Sequence, residues 1–163
     1  MNVATEGRSV CSNGAKEKQT FFKRLCHVMN HEITTSLEVL LNSARAVVNN
    51  AYAPYSKLKV GAAALFHDGA IITGVNVENA SFGLTICAER AALVSAISQG
   101  KRRLRALAIA SSTGIALPPC GACRQVIAEF SDGDTIVVLD GANGKVETHR
   151  ISELLPLAFK FPV

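Results

Sequence analysis

The spacing of thiols constrains this chain more than any other feature. Cys87 stands in T-I-C-A-E-R with Glu89 and Arg90 just after it, and Cys120 and Cys123 stand in P-C-G-A-C-R-Q, followed by Arg124. Three cysteines drawn from two separate places suit a zinc ion. Four protein ligands close a zinc site and make it structural, whereas three leave a position for water, whose pKa the metal lowers toward neutrality. A glutamate two residues from one ligand is placed to carry that water's proton. A lone C-x-x-C also suits a redox pair or two buried thiols, but neither needs a third cysteine beside a glutamate. The expected cofactor is therefore Zn2+ on Cys87, Cys120 and Cys123, with Glu89 as the catalytic group.

Other motifs extend the pattern beyond the thiols. The chain reads A-Y-A-P-Y-S from Ala51, V-G-A-A from Val60, G-V-N-V-E-N-A-S from Gly74 and L-L-P-L-A-F from Leu154. With these, the stretch from about Thr35 to Phe159 resembles the small nucleoside-specific cytidine deaminases, the all-cysteine form of the zinc deaminase pattern. The resemblance implies hydrolytic deamination of cytidine and deoxycytidine to uridine and deoxyuridine plus ammonia, in pyrimidine salvage, by a homotetramer. It also implies substrate contacts at Asn76, Glu78, Phe82, Leu58, Ala88 and Phe159, with Asn76 and Glu78 on the ribose 3′-hydroxyl. Arg90 and Arg124 would hydrogen-bond the ligand sulfurs and drain their charge, or form ordinary surface ion pairs.

Alternation along a strand puts Asn76 and Glu78 on one face, about 7 Å apart. An amide and a carboxylate together can donate to and accept from an alcohol; the plainer reading is a solvent-facing strand edge. Two positions depart from the family pattern. Leu58 replaces a common phenylalanine and Phe82 a frequent tyrosine, which keeps the lining apolar and is expected to alter affinity more than chemistry. By the same resemblance Phe159 would reach a neighbouring subunit's base; the plainer reading is that it packs in the core. A non-catalytic zinc module would use the same thiols for folding alone. A deaminase of blasticidin S or of nucleic acid would share the chemistry, but the former lacks the V-E-N arrangement and the latter usually has histidine as first ligand.

A chain of 163 residues is normally one domain, able to bury roughly 70% of its unfolded surface without staples. Thiolates that must stay reduced point to the cytoplasm. No apolar run approaches the length of a membrane span, and the first thirty residues lack a secretory stretch. The formal net charge of +4 comes mostly from residues 1–31, where five basic side chains face two acidic ones. Only Lys101, Arg102, Arg103 and Arg105 form a basic run elsewhere, either a solvated helix terminus or an anion site. Nucleic acid and membrane are not expected partners; a small nucleoside is.

Residues 1–31 have no clear period and read as an N-terminal extension, partly helical near Phe21–Met29, leaving 32–163 as the deaminase domain. Thr35 and Glu38 have the form of a capping box, opening a helix with an apolar stripe at Leu37, Leu40, Leu41, Ala44, Val47 and Val48. Leu58–Phe66 and Ala70–Val77 read as a hairpin joined at His67-Asp68-Gly69. A helix over Ala88–Gln99 stopping at Gly100, a strand at Ala106–Ser111, a helix over Gly121–Phe130 and strands at Thr135–Leu139 and Lys145–His149 follow. Strand-helix alternation predicts parallel neighbours, and the short link Asp140–Gly144 makes the last two strands antiparallel. The expected class is α/β, a three-layer α-β-α sandwich around a mixed five-stranded sheet. Both cysteine groups fall where a loop enters a helix, whose positive dipole end stabilises thiolates.

Overall fold

A computed structural model of the chain describes residues 37–162. The Thr35 cap, the 1–31 extension and Cys11 and Cys26 lie outside the described residues. Residues 37–47 form α1, and Leu40, Leu41 and Ala44 are buried along it, with Val48 following in a short 3-10 turn, Val48–Asn50. This is the predicted stripe, at the spacing that turns one helical face inward.

Five strands follow: β1 (Val60–Phe66), β2 (Ile71–Val75), β3 (Leu104–Ser111), β4 (Ile136–Asp140) and β5 (Val146–Arg150), in spatial order β2-β1-β3-β4-β5. Three helices interleave with them: α2 (Ala88–Ser98), α3 (Gly121–Glu129) and a short α4 (Ile151–Leu154) that the sequence reading omitted. Successive side chains of a strand point to opposite faces. Ala62, Ala64 and Phe66 of β1 pack with α2 and α3, whereas Ala63 and Leu65 pack under α1. The architecture is the expected three-layer sandwich around a mixed five-stranded sheet. β4 and β5 pair antiparallel, Val138 facing Thr148, as their short link requires.

One topological expectation is corrected. Among the described strands only β3 and β4 pair in parallel; β2 and β3 are not neighbours, because β1 lies between them and pairs antiparallel with both. The cause is burial on both faces. β1 reads V-G-A-A-A-L-F and is buried from Gly61 to Phe66, while β2 stays partly exposed throughout. A continuous apolar strand belongs in a sheet's interior, so the hairpin docks through β1 and leaves β2 at the edge. The expected strand Ala70–Val77 also ends early: Asn76 and Val77 leave the ladder, and Val77 bridges Tyr52 on one side and Ile86 on the other.

Local chemistry fixes the helix ends. Gly100 adopts φ +81°, and its N–H and that of Lys101 reach back to Ile97 O and Ala96 O, a left-handed Schellman closure. The basic run is absorbed locally at its start. Lys101 pairs with Asp68 at 2.7 Å, and Arg102 donates to the carbonyls of Ile97 and Lys101. Across the other layer, Arg45 of α1 grips Asp140 at the end of β4 through two bonds of 2.8 and 2.6 Å. The bidentate geometry adds direction as well as energy.

The contact that most concerns the site is made by Gly74. A Cβ there would lie 2.7 Å from Ala88 O and 2.8 Å from Ala92 Cα, so the absence of a side chain lets the start of α2 lie directly on β2. That approach sets Cys87 and Glu89 beside the exit of β2. Gly74→Val is expected to lower unfolding free energy by about 1–3 kcal/mol in urea titration. Gly83→Ala, where a Cβ meets nothing within 4 Å, should stay within about 0.5 kcal/mol. Equal effects of the two would contradict the close-packing account.

Candidate functional site

Two helix starts converge to make the site. Cys87 is the N-cap of α2 and Cys120 the N-cap of α3, both in extended backbone, and neither uses its side chain to cap its helix. Cys123 lies one turn into α3 and is fully buried, Cys87 is half-buried and Cys120 exposed. The three Sγ atoms lie within 4.8 Å of one another, and Cys87 and Cys120 approach to 4.0 Å. A tetrahedron with Zn–S bonds of about 2.3 Å has sulfur–sulfur edges of about 3.8 Å, so the donor set fits zinc with little adjustment.

The thiols share their protons unevenly. Cys87 is pulled down to about 5, chiefly by its hydrogen bond with Cys123 and, against desolvation, by Arg90 and Cys120. Cys123 is pushed up by the same bond with Cys87, then by burial and by Glu89. Glu89, the second residue of α2, is 5% exposed. Burial, more than the nearby Cys87 charge, raises its carboxyl above the usual range.

The two arginines act on the loops that deliver the cysteines. Arg90 Nη2 donates to Thr85 O at 3.0 Å and reaches Cys87 Sγ at 3.7 Å, while its Nε is buried without a partner. Arg124 departs from expectation. Its Nε donates to Pro119 O at 2.7 Å and its Nη1 to Leu154 O at 3.1 Å; these bonds hold the backbone before Cys120 and the L-L-P segment rather than a sulfur. A guanidinium fork aimed at two carbonyls fixes a loop more firmly than a point charge does.

Toward β2, the structure brings Glu78 and Phe82 into one cleft of about 490 Å³, lined also by Tyr55, Ser56 and Thr85. The thiols are not in its lining; Thr85, two residues before Cys87, is the link between the two regions. Glu78 accepts from Tyr55 N at 2.8 Å, from Ser56 N and from the Ser56 hydroxyl. These donors, led by the hydroxyl, hold its carboxyl below the usual range. Asn76 faces the same loop, its amide oxygen accepting from Val60 N at 2.8 Å and its nitrogen donating to Leu58 O at 2.9 Å. One amide hydrogen and one lone pair of Asn76 remain for a ligand.

The remaining expected contacts are placed differently. Ala88 is wholly buried in the core at the start of α2, its carbonyl lying against Gly74. Leu58 is half-buried and outside the cleft lining. Phe159 is 70% exposed, which removes core packing as its role; its backbone N–H and C=O pair with the side-chain amide of Gln125 at 3.2 and 2.9 Å. Sequence reasoning missed Ser56, Thr85 and Gln125. For Ser56 a signal existed, a serine after Pro-Tyr in a turn, where hydroxyls commonly bond nearby backbone; the pairing of Gln125 with Phe159 spans 34 positions and leaves no local trace.

Residues 34–139 match the family described as "Cytidine and deoxycytidylate deaminase zinc-binding region". A cytidine deaminase of Halalkalibacterium halodurans is 49% identical over 122 residues, 75% of this chain and 92% of that one. Among solved structures, the cytidine deaminase of Burkholderia pseudomallei is similar with a TM-score of 0.71 at 46% identity, covering 75% of this chain and 98% of that one. That of Mycobacterium tuberculosis gives 0.68 at 42% identity, covering 77% and 98%. The matched zinc-binding region and the converging thiols agree on the metal, and the chain belongs to the zinc-dependent cytidine and deoxycytidylate deaminase family.

Proposed function

We propose that this protein hydrolyses the exocyclic C4–N bond of cytidine and deoxycytidine, releasing ammonia and leaving uridine and deoxyuridine, as a step of pyrimidine salvage in the cytoplasm. The observation that carries the reading is the meeting of three Sγ atoms within 4.8 Å beside a buried glutamate two residues past the first of them. Cys87, Cys120 and Cys123 would hold the zinc. When bound, zinc supplies Lewis-acid activation of water near neutral pH.

The chain's own residues do the rest. Glu89 takes a proton from the attacking water and passes it to N3 of the base as oxygen adds to C4. It then takes the proton of the new hydroxyl and gives it to the amino group, which leaves as ammonia. A carboxyl whose affinity for protons is raised by burial suits a shuttle that must accept and return them. Arg90 donates toward Cys87 Sγ and tempers the negative charge of the thiolates, and Arg124 holds the Cys120 loop by the Pro119 carbonyl.

Asn76 and Glu78 receive the sugar 3′-hydroxyl. A Glu78 held ionised accepts a hydroxyl proton but repels a phosphate at that place, which favours free nucleosides over nucleic acid. Residues 32–163 are the deaminase domain in this reading. Four chains assemble, with Leu84, Val94 and Phe159, each at least 65% exposed in the single chain, at the contacts; apolar groups of that exposure mark association surfaces. Phe159 then reaches a neighbouring subunit's base. Light scattering should give a mass of four chains, and a monodisperse monomer would contradict the assembly.

Two substitutions separate the metal from the proton shuttle. Glu89→Gln should keep about one zinc per chain and lose turnover by about a thousandfold or more. Cys120→Ala should lose the metal itself. A Glu89→Gln protein with near-normal rate, or a fully metallated Cys120→Ala protein, would overturn these assignments.

A further inference from the structure

The loop carrying Tyr55 and Ser56 is bound to the exit of β2 more completely than a surface loop requires. Glu78 Oε2 accepts from Tyr55 N at 2.8 Å and Ser56 N at 3.2 Å, and Oε1 accepts from the Ser56 hydroxyl. The same hydroxyl oxygen accepts from Leu58 N at 3.0 Å. Between them, Lys57 adopts φ +61°, a left-handed conformation uncommon outside glycine. The turn is therefore held in a specific shape, with one serine hydroxyl between the Leu58 backbone and the Glu78 carboxylate.

A carboxylate offers about four lone-pair sites. Three donors serve them, Tyr55 N on Oε2, Ser56 Oγ on Oε1 and Ser56 N shared between the two oxygens at 3.2 and 3.3 Å, which leaves capacity for one further donor on a carboxylate whose orientation these three fix. Glu78 lines the cleft with Tyr55, Ser56, Phe82 and Thr85, so its carboxylate borders the ligand space. The geometry points to Ser56 as the positioning residue that fixes the Glu78 carboxylate to accept one hydroxyl proton of the sugar, making a free hydroxyl donor at that place the specificity requirement of the cleft. This rests on the reading that Glu78 meets the 3′-hydroxyl of the nucleoside. Ser56 itself does not touch the reacting base. Removing its hydroxyl leaves Glu78 two backbone donors, with Oε1 held only by the long 3.3 Å bond from Ser56 N, so the carboxylate can rotate and the penalty falls on sugar recognition rather than on the chemical step.

The test compares cytidine with 3′-deoxycytidine, which lacks the hydroxyl, in wild-type and Ser56→Ala holoenzyme. Wild type should favour cytidine in kcat/KM by at least about tenfold, since a site built around a hydroxyl rejects the analogue without it. Ser56→Ala should raise KM for cytidine roughly tenfold with kcat within about threefold and zinc content unchanged, and should leave KM for 3′-deoxycytidine as it was. Ser56→Thr should restore the wild-type ratio. If Ser56→Ala does not fold, Ser56→Cys keeps the volume with a much weaker hydrogen bond and is read in the same way. Equal losses on both substrates would overturn the positioning role, because a loop that is merely loosened handles the two alike. A wild-type enzyme indifferent to the 3′-hydroxyl would instead overturn the Glu78 assignment on which the inference stands, while leaving the deaminase reading intact.

Discussion

Gathering three thiols within 4.8 Å places groups together that cannot all ionise unaided. Two unit charges 4 Å apart repel by about 4 kcal/mol at an effective dielectric of 20, and here a buried glutamate adds to the crowd. The protein answers in part with structure. Two helix N-termini present their positive ends to the sulfurs, and Arg90 lies against Cys87. A divalent cation supplies the positive charge that three thiolates in contact need. Metal binding and the fold around it are thus linked: ligands that must be deprotonated tie the site's integrity to the ion.

The sheet exists to hold those helix starts in place. β1 can sit inside the sheet, between β2 and β3, because Gly61, Ala62, Ala63 and Ala64 are small enough to be buried on both faces. Gly74 then lets α2 come down on β2, and the parallel pair β3–β4 sends the chain through α3 so that Cys120 arrives opposite Cys87. Arg124 and Gln125, in the turn after Cys123, fasten the C-terminal segment at Leu154 and Phe159. One short helix therefore carries two candidate ligands and both anchors of the tail.

Much of this was legible in the residues. The thiol spacing with Glu89 pointed to one site before any geometry, and the apolar stripe of α1, the Gly100 stop and the antiparallel close of the sheet follow from local rules that tertiary packing did not override. What escaped was non-local. Strand-helix alternation predicts that β2 and β3 pair, and it fails because the burial of β1 on both faces outweighs sequence adjacency. That Ala88 at the start of α2 is buried against the sheet is likewise not visible in its neighbours in sequence. Arg124 follows its ligand as Arg90 does, yet the nearby Pro119 and Leu154 carbonyls draw its donors away from sulfur. Each of these depends on which element lies alongside, information that no window of sequence contains.

The account stands on one claim, that a zinc held by three thiols beside Glu89 deaminates a free nucleoside. The direct measurement is the ultraviolet absorbance of cytidine mixed with purified protein whose zinc has been quantified. The account predicts rapid loss of the cytidine signal, with ammonia released in equal amount, at about one zinc per chain. Cytidine and deoxycytidine both left intact by fully metallated protein would contradict it, and the metal would then serve the fold or a different amine.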